Sequence, residues 1–96
     1  MDRAALERSW AVTARHLNAA RAQLPKMPAP GADGATLSGF EECLGQNEME
    51  LALDELEDLG RTNAPSAEFW RCLVCAAENM GLSDRAVDFK RNIGPA

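Results

Sequence analysis

The sequence predicts an all-α fold, a small bundle of about five helices with a Pro/Gly-rich linker after the first. Three observations carry that prediction. Apolar residues recur at spacings of three and four in every segment long enough to show a period. No segment alternates as a half-buried strand does. Prolines and glycines fall between the periodic segments, where helices stop. At 96 residues and 10.4 kDa, with 46% hydrophobic and 26% charged residues, the chain suits a single helical domain over residues 1–96 rather than a disordered tail.

The first helix is expected over about residues 2 to 23, with Leu6, Trp10, Thr13, Leu17, Ala20 and Leu24 on one stripe. Pro25 ends it by removing a donor and pushing Leu24 toward extended geometry. Pro25-Lys26-Met27-Pro28-Ala29-Pro30-Gly31-Ala32-Asp33-Gly34 cannot sustain a helix or a central strand. It reads as a surface linker over about residues 25–36. Ser38 with Glu41 suggests a capping box for a short second helix, which buries Leu37, Phe40 and Leu44 and stops near Gly45. Asn47 with Glu50 repeats the device for a third helix, whose core stripe is Met49, Ala52, Leu53, Leu56 and Leu59, and Gly60 closes it. Pro65 suits the first turn of a fourth helix carrying Phe69, Trp70, Leu73, Ala76, Ala77 and Met80, with Gly81 as its terminator. Ser83 then caps a last short helix bearing Ala86, Val87, Phe89 and Ile93, which Gly94-Pro95 breaks.

Charge is placed unevenly. Residues 1 to 30 hold five bases and two acids, residues 31 to 60 no base and nine acids, and residues 61 to 96 five bases and four acids. An acidic middle third repels phosphates and membrane surfaces and attracts basic partners. Nucleic acid is therefore disfavoured as a ligand. The longest apolar run, Cys72 to Ala77, is six residues, far short of the roughly 20 a membrane span needs. The beginning of the sequence shows no secretory signal, so a cytoplasmic location is expected.

The third helix concentrates this charge. Glu50, Asp54, Glu57 and Asp58 share about one third of its circumference, opposite the apolar stripe. Like charges four apart weaken a helix by a few tenths of a kcal/mol per pair, and between Asn47 and Gly60 no base offsets them. Leu51 projects from the polar side, where it has no core to join. Glu50, Leu51, Asp54, Glu57 and Asp58 are thus the candidate protein-binding residues, an apolar anchor ringed by charge that faces a basic protein partner. The bland alternative is a solvated surface helix of an acidic protein.

Other constellations are weaker. Cys72 and Cys75 form a Cys-x-x-Cys pair about two turns inside a helix, where the N-terminal field that activates a redox thiol has faded. Together with Cys43 and His16 they have no recognisable zinc spacing, and three buried structural thiols are the simpler expectation. No nucleophile signature accompanies the single His16, so neither an enzyme nor a cofactor or metal site is expected. Ala76 to Val87 resembles the turn of a DNA-binding helix-turn-helix, with Ala77, Gly81, Leu82 and Val87 in the small and apolar places. Lys90 and Asp84 depart from that pattern, the latter by setting a carboxylate where phosphates would lie. Trp10 and Trp70 read as core or edge aromatics, and one of Phe69 and Trp70 must face outward or a neighbouring helix. An exposed tryptophan would make a homo-oligomerising bundle the structural alternative.

Phe40-Glu41-Glu42-Cys43-Leu44, then Asn47 to Gly60, then Phe69-Trp70, Leu73, Ala76-Ala77-Glu78 and Met80-Gly81-Leu82, is similar to small all-helical immunity proteins of bacterial polymorphic toxin systems. The resemblance covers residues 40 to 82. It implies a cytoplasmic, acidic, non-enzymatic inhibitor that binds a cognate toxin, often a nuclease, and blocks its basic cleft.

Overall fold

In a computed structural model, which describes residues 3–93, the chain folds into five helices: α1 (Arg3–Arg21), α2 (Leu37–Gly45), α3 (Met49–Asn63), α4 (Ala67–Asn79) and α5 (Ser83–Lys90). No strand occurs among the described residues. The α4 helix is the centre of the bundle, packing on α1, α3 and α5, while α2 packs on α3. The reason lies in its sequence: Phe69, Trp70, Leu73, Val74, Ala76 and Ala77 span a broad apolar arc of nearly half its circumference, and all six are buried. One apolar cluster joins them to Leu17 and Ala20 of α1, Phe40 of α2, Leu53, Leu56 and Leu59 of α3, and Ala86 and Phe89 of α5.

The helix ends show where local signals competed. Thr36, not Ser38, caps α2, with its Oγ1 accepting from Gly39 N at 3.0 Å. Asn47 does not open α3. It adopts φ 59° and closes α2 in a Schellman motif, in which Glu48 N donates to Cys43 O and Asn47 N to Leu44 O. Gly60 does not close α3 either, and the helix runs on to Asn63 before Ala64, at φ 47°, stops it. Gly60 is interior because a Cβ there would collide with the Phe69 ring edge at Cε1 and lie 2.8 Å from its Cζ and 3.1 Å from Trp70 Cη2. Glycine at this position sets how closely α4 approaches α3.

Pro65 precedes the N-cap, Ser66, rather than entering α4. Gly81 ends α4 as expected, at φ 75°, with Leu82 N folded back on Ala77 O at 2.9 Å. Leu82 takes the N-cap position of α5, so Ser83 is its first residue. Val87 is 51% exposed, because Ala86 and Phe89 suffice to seat so short a helix. The Gly94-Pro95 break lies outside the described residues. Phe69 and Trp70 are both buried, edge to face with ring centroids 5.0 Å apart, so neither has to face outward. The three thiols are not buried as a set: Cys43 and Cys72 are half-buried and Cys75 is exposed.

The linker is laid down as a strap. Leu24, Gly31 and Ala35 are buried, and the segment runs antiparallel to α3 along the stripe Glu55, Asp58, Thr62 and Asn63. A Pro/Gly segment has backbone amides with no ladder to join, and α3 supplies acceptors for them.

Candidate functional site

The outer face of α3 is built by this strap on one flank and by α5 on the other. On the strap side, Asn63 Oδ1 accepts from Ala29 N at 2.9 Å and its Nδ2 donates back to Ala29 O at 2.9 Å. Thr62 Oγ1 accepts from Ala32 N at 3.2 Å. Asp58 accepts from Asp33 N with both oxygens, at 3.1 and 3.2 Å, and from Ala35 N at 3.0 Å. Glu55 accepts from Thr36 N at 3.2 Å. Gly31 passes so close to Asp58 that a Cβ would collide with the carboxylate. Four side chains at i, i+3, i+7 and i+8 of one helix therefore hold the strap by its backbone.

On the α5 side, Arg85 Nη2 lies 2.8 Å from Asp54 Oδ1 and 3.0 Å from Glu57 Oε1. Its guanidinium carbon sits 5.3 Å from the centroid of the Phe89 ring, a cation–π contact that fixes its direction. Arg61 Nη2 meets the other oxygen of Glu57 at 2.6 Å, four residues along α3. This pairing exists because α3 continues past Gly60.

The five sequence-predicted residues thus separate by role. Glu50 is exposed, Leu51 is 52% exposed and the Asp54 side chain is 52% exposed. Glu57 retains only 18% of its side-chain surface and is clasped by two arginines. Asp58 anchors the strap. The expectation of a uniformly hydrated acidic face without bases is corrected: α3 carries Arg61, and Arg85 crosses from α5. The face gains two acids that sequence reasoning passed over, Glu55 on α3 and Asp33 on the strap. A polar stripe facing a segment rich in unpaired amides was the signal that could have found Glu55.

Between strap and helix runs a cleft of about 290 Å³, lined by Asp33, Ala35, Asp54, Glu55, Glu57, Asp58 and Arg61. Five carboxylates against Arg61, with Arg85 behind them, leave this region net negative. Neutral amides donate to Asp58 and to one oxygen of Glu55 without cancelling their charge. The field reaches Cys43, whose thiol is pushed above its ordinary range first by desolvation and then by Glu48, Glu55, Glu42 and Asp54.

Among the described residues no group of three or more His, Cys, Asp and Glu side chains is placed to hold a metal ion. No helix among the described residues is long and apolar enough to cross a membrane. In the helix-turn-helix-like pair α4–α5, Arg85 is turned inward onto α3, while Asp84 and Asp88 are exposed. Searches of protein-family models, curated proteins and solved structures found no match to the chain.

Proposed function

We propose that this protein is a non-enzymatic binding module that captures a basic protein through the outer face of α3. The observation that supports this reading is Leu51, 52% exposed on a helix whose flanking cleft carries five carboxylates. Glu50 precedes it, and Asp54 and Glu55 follow one turn on. An apolar contact within a negative field suits a cationic partner, since the field speeds encounter and the leucine adds short-range contact. Glu57 and Asp58 support this face by fixing α5 and the strap. The resemblance in residues 40 to 82 makes a cognate basic toxin the partner class to test first.

The test uses the partner recovered by copurification from the native cell. Glu50→Lys with Asp54→Lys is expected to weaken its binding about tenfold or more and to flatten the salt dependence, with the helical circular dichroism unchanged. Unaltered affinity in a folded double variant refutes the reading.

A further inference from the structure

Beside the acidic face, where α1, the start of α3 and the α4–α5 turn meet, the surface opens into two grooves on either side of Trp10. One, of about 350 Å³, is lined by Leu6, Trp10, Met49, Met80 and Leu82 among others, and its single charged lining residue is Glu50. The second, of about 370 Å³, shares Trp10 and Met49 and adds Leu44, with Arg3 and Glu7 at its edge. Those two ions pair with each other at 3.1 Å and contribute no net charge. Trp10, Leu44, Met80 and Leu82 pack against the core yet stay partly open, and Leu6 is 37% exposed. The floor is firm, because Thr13 is 1% exposed and its Oγ1 accepts from Asn79 Nδ2 at 2.6 Å. The apolar patch therefore carries one unbalanced charge, and it is negative.

Glu50 belongs to both surfaces, and Leu51 is its chain neighbour. The groove consequently continues into the acidic face. We propose that the Trp10 groove seats the apolar side chains of the same partner: an amphipathic helical segment whose leucine-like residues enter beside Trp10 while lysines or arginines on its flank meet Glu50 and the α3 acids. This rests on the basic-partner reading above and adds an apolar half to it. Buried apolar contact slows dissociation, whereas rim charges act on encounter, so the two halves are separable by experiment.

Two labelled peptides of about 14 residues serve as probes, an amphipathic Leu/Lys helix and a peptide of equal charge with every leucine replaced by serine. Binding is read by anisotropy at about 50 and about 300 mM salt. The Leu/Lys peptide is expected to bind about tenfold more tightly than the Ser/Lys peptide. Trp10→Ala should abolish that advantage without changing Ser/Lys binding, Leu6→Glu should abolish it while leaving Ser/Lys binding equal or tighter because it adds a carboxylate to the groove, and Glu50→Lys should weaken both. If Trp10→Ala loses helicity, Leu6→Glu decides, since Leu6 is already partly in solvent. Equal affinity of the two peptides, or an advantage that survives Leu6→Glu, overturns the groove and leaves the acidic face standing. Failure of both peptides to bind overturns the basic-partner reading and the groove with it. A concentration-dependent dimer abolished by Leu6→Glu makes a second copy the occupant and also overturns the proposal.

Discussion

Asp58→Ala tests whether the strap is held by α3 or merely lies against it. The carboxylate takes two backbone donors, Asp33 N and Ala35 N, the former shared between both oxygens. A hydrogen bond to a charged acceptor contributes about 1.5–3 kcal/mol. The Asp33 bond is solvent-exposed and the Ala35 bond partly buried, so the pair together is taken at about 2–3 kcal/mol rather than the full sum. Against a total stability of about 5–15 kcal/mol for a domain of this size, that is a large share. With a urea dependence of about 1–3 kcal/mol per molar, the unfolding midpoint should fall by about 0.7–3 M. Asp58→Asn retains one acceptor oxygen and should lose about half as much. Native-state hydrogen exchange gives the local reading: the Asp33 and Ala35 amides should lose protection in Asp58→Ala while the α4 amides keep theirs up to the new global limit. A midpoint shift below about 0.3 M, with Ala35 still protected, would show that Leu24 and Ala35 dock the strap by burial alone and that the carboxylate is free for a partner.

Two other predictions concern positions the fold has committed. Gly60→Ala should reverse the usual sign of a helical glycine-to-alanine change: the normal gain of about 1 kcal/mol is outweighed by about 1–3 kcal/mol of overpacking, because the new Cβ meets Phe69, which is 0% exposed. Gly45→Ala, with nothing within 4 Å of the added Cβ, should be neutral or stabilising in the same urea titration. The thiols should separate by position and pH: Cys75 is exposed and should alkylate first, whereas Cys43 and Cys72 sit above the ordinary value of 9.0 and should react more slowly than in the urea-unfolded chain. Their raised values mean that the folded state holds these protons more tightly, so the associated stability is complete below about pH 9 and declines as pH rises through the folded values. A Cys43 that alkylates as fast folded as unfolded at pH 8.5 refutes the shift.

The helices were legible because their information is local. Met49, Ala52, Leu53, Leu56 and Leu59 repeat with helical period, and every one is buried. Phe69 to Ala77 does the same for α4. What failed to read locally was decided by contacts distant in sequence. A glycine after an apolar stripe looks like a terminator, and only the Phe69 ring explains why Gly60 is interior. Asparagine serves equally as an N-cap or a left-handed terminator, and at Asn47 the Schellman bonds to Cys43 and Leu44 won. The site divided in the same way. The exposure of Glu50 and Leu51 follows from helical phase, but the fates of Glu57 and Asp58 depend on Arg85 and on amides 23 and 25 residues earlier, which no periodicity records.

Two kinds of partner hold the acids of α3, and they act differently on the field. Arg85 and Arg61 neutralise: they relieve the repulsion among Asp54, Glu55, Glu57 and Asp58 that would otherwise weaken the helix, and they dull the middle of the face. The strap amides do not neutralise. They stabilise Asp58 and Glu55 through hydrogen bonds while leaving the charge in place, in a stretch of chain that contains no base from Gly31 to Gly60. Holding the strap and attracting a cation are therefore compatible at Asp58 and Glu55, whereas at Glu57 an intramolecular cation already occupies the carboxylate. The negative field is left at the two margins, Glu50 beside the Trp10 groove and Asp33 with Asp58 along the strap. Between them lies Arg85, which pairs with both the half-exposed Asp54 and Glu57, so under the proposed reading an incoming guanidinium that takes Asp54 leaves α5 still tied to α3 through Glu57.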